Sequence, residues 1–574
     1  MEFFNTFATG LYHGESINAC QKQREAKCHH IKHIIIFYEQ TTLQESFTDQ
    51  ELEILNKYFT NTDKPVFGLI NLPDVVKGAL FARYSRSNKS LRRLFLDEFY
   101  THSTKLTTDS MPVAGMERAS SLYDKMILDF GDDSVAQLGG AHIACEQVSN
   151  ILTKIIEKGR IASYLEQSTR YVYYNKKING QYHYVIPPEI AGSPLESLYK
   201  EYMDFLFDTY TEILEELTPI LKKKYPQGEK QTDRAWEAII RAKACDIVRG
   251  LLPASTRSNL GVYANGQAFE YMLVKMYASD NAEVIQYADM ILHELRKIIP
   301  AFLTRVDLEN RGKLWSQYIK DIHSDMNGVV KSLLKKETVA LPIRHTQNEV
   351  NLIAWDKDGL DKIIQSILFE YTFESEKDIQ KRIETFTEEE KRDILKKYCG
   401  NRQNRRHKPG RALETISYKF EVLSDYGAFR DLQRHRMLTL EWQKLSPRNG
   451  YIIPIELEDL PRLKKLYENA LIKSEGIYEK INDAFGEEVA QYVIPFAYRV
   501  RYEICMNLRE ATHFIELRSQ KQGHYSYRKV CIDMHDLIIN KAKHDFVDDC
   551  MKFVDKNFYD LSREDAENKK DRKL

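Results

Sequence analysis

Long apolar runs are missing from this 574-residue chain: near its start the longest is Ile34 to Tyr38, far too short to cross a bilayer. No basic flank accompanies it, so neither a signal peptide nor a membrane span is expected. Cysteine is scarce, eight residues with no CxxC pair and no disulfide-like spacing, which suits a reducing compartment and predicts a cytoplasmic protein. The grouping of Cys20, Cys28, His29, His30 and His33 matches no established zinc spacing, and no metal is expected. Charge of one sign is not in excess either, with 83 Lys and Arg against 84 Asp and Glu. A chain without a global field has no general means of capturing nucleic acid, so an anionic ligand must be held by local clusters of Arg and Lys. Also absent are GxxxxGK[ST], a GxGxxG after a strand, GxSxG and HExxH, which removes P-loop triphosphatases, Rossmann dehydrogenases, serine hydrolases and zincins.

What is present is a duplication. At this length two to four domains are expected, and 43% hydrophobic with 29% charged residues is the composition of a folded chain. Residues 66–71 (VFGLIN) read as a buried strand and Pro73 as the start of a helix through Ala79 and Ala82; residues 351–355 (NLIAW) and 360–369 repeat that strand and helix. Ser168, Arg170 and the Tyr184 to Pro187 segment are echoed by Ser446, Arg448 and Tyr451 to Pro454, with an extra Asn179-Gly180 hairpin signal in the first copy. Most telling, Pro253 and Pro495 each precede an Asn, Asn265 and Asn507, by twelve residues. Each Pro is read as opening a helix that contains the Asn. Three echoes in one order define two modules. The divisions are an N-terminal extension at 1–64, with a helix capped by Thr48 and Glu51; module 1 at 65–330; a connector at 331–345; module 2 at 346–550; and a mobile charged tail at 551–574.

The candidate chemistry is rich in Arg and amide groups. Arg434-His435-Arg436 follows an apolar stretch, and Asn507, Arg509, His513 and Arg518 punctuate NLREATHFIELR. On one helix Asn507 and Arg518 would share a face roughly 16 Å apart, a surface suited to a long anionic ligand with a planar ring. Solvated pairing of these arginines with Glu510 and Glu516 is the plainer alternative. Arg402, Arg405, Arg406, His407 and Lys408 read as a solvated loop, and Cys505 as core packing at a helix start.

Residues 158–171, KGRIASYLEQSTRY, resemble at the same spacing the signature of flavin-dependent thymidylate synthases, RHR followed by Ser, Asn-Glu and Ser-x-Arg. Both copies resemble the family's second hallmark, a Leu-Pro followed by Asn-x-Arg and Phe-x-x-Leu-Arg. Copy two keeps Asn507, Arg509, His513 and Arg518, whereas copy one has Asn265, Gln267, Tyr271 and Met276. Arg249, four before Pro253, stands where the family has a phosphate-binding Arg; copy two has Gln491 there. The family His of another segment is replaced by Asp132, and Glu441 or Gln443 stands for the family Glu in copy two.

The resemblance implies an α+β flavoprotein of two tandem modules, mixed helices with a small, largely antiparallel sheet. It implies methylation of dUMP to dTMP with methylenetetrahydrofolate and NADPH through FAD. Glu166, Ser168, Arg170 and Arg249 would hold the nucleotide; Arg434, His435, Arg436, Asn507, Arg509 and His513 the flavin; Arg518 the uracil, with Arg518, Ser168 and Glu166 catalytic. One composite site per chain is expected, and a homodimer would rebuild four modules. Two alternatives stand beside this: flavin-dependent modification of another pyrimidine nucleotide or an RNA base, and a catalytically inactive nucleotide-binding regulatory or scaffold protein.

Overall fold

A computed structural model describes residues 46–85, 87–100, 136–229, 231–333 and 348–571. The cysteine and histidine grouping at 20–33, Asp132 and most of the connector lie outside them. The chain divides into two compact units, 1–139 and 140–574.

In the first unit, helix α1 (Asp49–Tyr58) begins with the expected capping box: Thr48 Oγ1 accepts from Glu51 N, and Glu51 returns a carboxylate to Thr48 N at 2.8 Å. Helix α2 (Asp74–Tyr84) follows Pro73 as expected. The strand expected at 66–71 does not form. Val66 is 82% exposed and only Leu69 pairs, in an isolated bridge to Phe59. An apolar run of this length specifies burial only if a neighbouring strand accepts its backbone bonds.

The second unit contains two sheets built on one plan. The first has β1 (Gly140–Ser149), helix α3 (Asn150–Ile156), β2 (Ala162–Glu166), α4 (Glu196–Lys224), α5 (Asp233–Val248), β3 (Arg257–Asn265), α6 (Gly266–Tyr277), α7 (Ala282–Ile298) and α8 (Gly312–Leu333). The second has β4 (Glu349–Trp355), α9 (Gly359–Tyr371), α10 (Glu388–Cys399), β5 (Ser417–Asp425), α11 (Tyr426–Leu432), β6 (Thr439–Trp442), α12 (Pro461–Phe485), β7 (Arg499–Asn507), α13 (Leu508–Arg518) and α14 (Tyr525–Asn540). The orders are β1-β3-β2 and β4-β5-β7-β6, all antiparallel. This is the expected α+β class.

Register makes the copies superimposable on paper. Asn265 faces Gly140, the first residue of β1, and Asn507 faces Ser417, the first residue of β5. Tyr184 bridges Thr256 and Tyr451 bridges Tyr498, while Val185 N donates to Ser255 O and Ile452 N to Ala497 O, each at 2.9 Å. The Tyr-to-Pro echo is therefore the same short edge in both copies. Asn179 and Gly180 both adopt positive φ in the hairpin that only the first copy has.

The Pro-to-Asn echo needs correcting. The residues after each Pro form strands β3 and β7, and the Asn is the cap of the following helix: Asn265 Oδ1 accepts from Ala268 N and Asn507 Oδ1 from Glu510 N, both at 2.9 Å. Period-two burial along both strands, with alternate residues inward, is the signal that a helix reading overlooks. Asn507 and Arg518 thus bracket α13 instead of sharing a helical face, and Cys505 sits half-buried in β7.

The prolines themselves meet. Pro253 bridges Pro495, and around them Ala254 N donates to Ile494 O at 2.8 Å, Phe496 N to Leu252 O at 2.9 Å, Ser255 N to Tyr492 O at 3.1 Å and Ala497 N to Gly250 O at 2.9 Å. Each bond has its counterpart with the copies exchanged, so a local two-fold axis passes between two residues that have no N–H to lose. Helices α4 and α12 pack across the same junction, with Tyr202 donating to Ala470 O, and one hydrophobic core runs through both copies. The tail expected to be mobile includes helix α15 (Glu564–Asp571), packed on α5 and tied by Thr232 Oγ1 to Asp571 at 2.6 Å.

Candidate active site

Strand β2 ends at Glu166, whose buried carboxylate is held from both copies: Lys154 of α3 at 3.1 Å and Arg430 of α11 at 2.9 Å. Burial opposes its ionisation, but Arg430, Lys154 and Arg434 outweigh that and keep the carboxyl far below the usual range. Beyond it the chain turns, with Ser168 Oγ accepting from Arg170 N at 3.3 Å. Arg170 then grips Asp246 with Nε and Nη2, both at 2.6 Å, and donates Nη1 to Gln522 O of the other copy at 3.0 Å. Its fork is fully engaged, so Arg170 pins the loop after β2 to α5 and to the α13–α14 connection.

Asp431 is the centre of the arrangement. Arg434 hydrogen-bonds it, Arg249 Nη1 stands 3.6 Å away, and Arg518 and Arg170 are within electrostatic reach. Burial would raise this carboxyl, yet the four guanidiniums hold it well below the normal range, Arg434 most of all. Arg170 is neutralised by Asp246, while Arg249, Arg434 and Arg518 share Asp431 with two further buried acids, Asp425 beside Arg249 and Glu166 near Arg434. Arg249, 4% exposed, leaves its Nη2 without a hydrogen-bond partner. A Cβ at Gly427 would come within 3.3 Å of that nitrogen, so glycine leaves the guanidinium its space. An uncompensated buried donor of this kind favours a charged acceptor.

Arg518, the last residue of α13, donates Nε to His435 Nε2 at 2.9 Å, and His435 Nδ1 lies 3.1 Å from Glu510 Oε1. An arginine Nε can only donate, so His435 carries its proton on Nδ1 and is neutral. Burial first, then Arg518, His513 and Arg434, push the imidazole well below its ordinary value. Burial lifts Glu510 to about 7 and lowers His513 to about 4, with Lys408 and Arg405 adding to the latter. The chain Glu510–His435–Arg518 therefore fixes the guanidinium and leaves its two Nη groups for a ligand. His435, Glu510 and His513 could face a cation, with ligand atoms within 4.8 Å of one another. However, Nε2 of His435 is occupied by Arg518, and Lys408, Arg405 and Arg436 surround the group, a field that suits an anion.

Of the residues singled out in sequence, Glu166, Arg170, Arg249, Arg434, His435 and Arg518 converge in this region, drawn from both copies. Arg436 is exposed beside Glu510, and His513 packs on His435 with tilted rings, centroids 5.5 Å apart. Asn507 caps α13, and Arg509 donates to Pro409 O at 2.9 Å and pairs with Glu414. Arg402 is not a solvated loop residue: it is buried against Glu516 at 2.7 Å. In copy two the position facing Tyr502 in β7, equivalent to Glu166 facing Leu260, is Trp442 instead of Glu441 or Gln443. Sequence reasoning missed Lys154, Asp246, Arg430, Asp431 and His524, and it offered Glu510 as a solvated partner of the arginines where the structure buries it against His435. The available signal was charge inside an apolar helix, since Arg430 and Asp431 interrupt YGAFRDL.

A duplicated antiparallel α+β fold whose halves share one arginine cluster defines a class of two-module protein assembled within a single chain. Residues 80–301 and 351–542 match the thymidylate synthase complementing protein family, and the chain belongs to that family. It is 38% identical to a UPF0159 protein of Chlamydia muridarum over 91% of this chain and 98% of that one, and 32% identical to a UPF0159 protein of Thermoplasma acidophilum over 86% and 98%. A flavin-dependent thymidylate synthase of Clostridium tetani is 27% identical over 33% of this chain and 74% of its own length. Among solved structures, a UMP/dUMP methylase of Streptomyces cacaoi bound with 5-Br dUMP matches 37% of this chain at 16% identity, with a TM-score of 0.31.

Proposed function

We propose that the chain converts dUMP to dTMP with methylenetetrahydrofolate and NADPH through FAD, at one composite site, and that two chains associate to present four modules. The observation that carries this reading is the Asp431 cluster: buried guanidiniums from both copies, one with an unsatisfied nitrogen, at the positions where family likeness calls for a nucleotide phosphate. A phosphate monoester brings nearly two negative charges and three acceptor oxygens, which suits a forked donor such as the unsatisfied Nη2 of Arg249.

The donor set also fits a flavin dinucleotide. Arg434 keeps a buried Nε without a partner, and Arg436, Lys408 and Arg405 form a cationic rim around His513 and Glu510 suited to a diphosphate. Bound flavin supplies hydride, so no cysteine nucleophile is required. The chain's own residues then bind and orient. Arg249 holds the phosphate, and Arg518, kept in place by neutral His435, offers its Nη groups to ring oxygens on which negative charge develops. Glu166 acts through Arg430 and Lys154, locking the two copies together beneath the site.

The decisive experiment is rescue of a thymidine-requiring strain, together with release of the C5 hydrogen from dUMP by purified protein supplied with FAD, NADPH and methylenetetrahydrofolate. Rescue lost in Arg170→Ala and Arg518→Ala supports the proposal. Flavin binding without C5 release favours another pyrimidine substrate. Protein that stays colourless after FAD addition favours a regulatory or scaffold role.

A further inference from the structure

Away from the arginine cluster, two buried thiols face each other. Cys399, the last residue of α10, and Cys550, which follows the turn Asp545–Asp549, have their sulfurs 3.2 Å apart and share a hydrogen bond. Cys399 is 7% exposed and Cys550 0%. Ion pairs hold the facing segments together independently of the sulfurs: Arg392 of α10 reaches Asp549 at 3.0 Å and Asp545 at 2.8 Å. The proximity is thus imposed by the fold, and the two residues come from positions 151 apart in sequence.

We propose that Cys399 and Cys550 form a reversible dithiol–disulfide pair that reacts with a hydroperoxide. Cys399 is the attacking group, because it has a sliver of surface, a hydrogen bond shared with the Cys550 sulfur that favours its thiolate, and cationic neighbours in Arg402 and Lys552. Burial and the neighbouring sulfur keep Cys550 protonated, as a resolving thiol should be. The Cys399 thiolate attacks one peroxide oxygen, the O–O bond breaks, and the departing hydroxide takes up a proton to leave as water. Cys550 then attacks the sulfenic sulfur, its thiol proton going with the hydroxyl as a second water. Two thiols are oxidised to one disulfide and one hydroperoxide is reduced. In a reducing compartment such a bond is transient, the usual character of a regulatory disulfide.

The location gives the bond a lever. Arg402 Nη1 donates to the Cys550 carbonyl and, with Nη2, to Glu516 of α13; Glu516 also accepts from Phe553 N at 3.2 Å, and Gln520 donates to Phe553 O at 2.9 Å. The loop that leaves Cys399 carries Arg405 and Lys408 to His513, and α13 ends in Arg518. Oxidation would therefore stiffen the base of the cationic rim without touching any group in the arginine cluster.

The test uses the full reduced chain, exposed to equimolar hydrogen peroxide, alkylated, and mapped by peptide mass spectrometry without reduction. The expected result is a fall of two in free thiols from the eight per chain, one linked peptide pair joining Cys399 to Cys550, and full reversal by dithiothreitol. Cys550→Ser should leave a sulfenic acid on Cys399 that dimedone traps; Cys399→Ser should leave Cys550 unmodified. Oxidation at Cys145, Cys505 or any other cysteine before this pair, or retention of all eight thiols, overturns the proposal. Should either Ser variant fold poorly, the wild-type peptide map decides alone.

Discussion

The local two-fold through Pro253 and Pro495 creates two related regions, and only one keeps a charged site. At the first, Glu166, Arg249, Gly250, Arg518 and His524 meet; at the second the corresponding residues are Trp442, Gln491, Tyr492, Met276 and Asn281. His524 and Asn281 both cap the helix that follows, but His524 is pushed down to about 3 by burial and Arg249, while Asn281 binds the hydroxyl of Tyr492. Tyr492, fully buried, fills the second region and donates to Glu283, which in turn accepts from Ser149 N at 2.8 Å. The first region has Asp425 and Ser526 in the places of Ser149 and Glu283, an acid and a hydroxyl exchanged between partners. In the second region Lys158 lies at the surface against Glu441 and the ring of Trp442, and Arg160 donates to Thr439 at 3.1 Å. Duplication thus supplied two frameworks, and divergence gathered arginines in one while closing the other with a buried hydrogen-bond network around Tyr492 and Glu283. Once fused, the copies were free to specialise, because each needs to supply only half of a shared site.

The largest expected effect separates the regions outright. Arg518→Ala should lower dTMP formation about 10²- to 10³-fold, the cost of losing a preorganised donor at a developing negative charge. Met276→Ala, at the related position, should leave the rate within a factor of two or so at a temperature where it stays folded, since it is a core residue whose loss acts on stability. Next, Glu166→Ala leaves Arg430 buried without its carboxylate, and Lys154 with Glu157 alone, and should cost about 3–5 kcal/mol in denaturant unfolding, whereas Trp442→Ala, half-buried at the matching position, should cost less. Counting bound FAD by absorbance and dUMP by calorimetry should give one of each per chain; two tightly bound FAD would show that the closed region is open after all.

Smaller effects come from pH. Glu510 is raised to about 7, so the folded protein holds a proton there that the unfolded chain releases near 4.5, and this group's contribution to stability is lost as pH rises from about 4.5 to 7. His513, lowered to about 4, does the reverse: the unfolded chain takes up the proton first, so its contribution grows as pH rises from about 4 to 6.5. Glu510→Gln should therefore leave a steeper rise in stability across pH 4.5–6.5 than wild type, read by urea midpoints. It should also retain Arg518 in place, because the amide oxygen can still accept from His435. The least effect is expected for Lys158→Ala, an exposed ion pair worth about 0–1 kcal/mol, and a larger loss there would mean that the second region matters more than its charge suggests.

The sequence alone determined the duplication and the unequal arming of the copies, because spacing between Pro, Asn and Arg is one-dimensional and survives any misreading of local structure; the α+β class came with the family resemblance. It determined the caps at Thr48 and the Asn179-Gly180 turn for the same reason, since both are set within a few residues. It misjudged the stretches after Pro253 and Pro495, where a buried strand and a helix start look alike until the neighbouring strands are known. Tertiary structure decided the rest. Only the fold shows that Pro253 meets Pro495, that Trp442 is the counterpart of Glu166, and that Asp431 gathers arginines brought together from both copies. Those relations depend on strand register and on burial, and the strength of an ion pair or a pKa shift is set by the distance and dielectric that folding creates, which no linear spacing encodes.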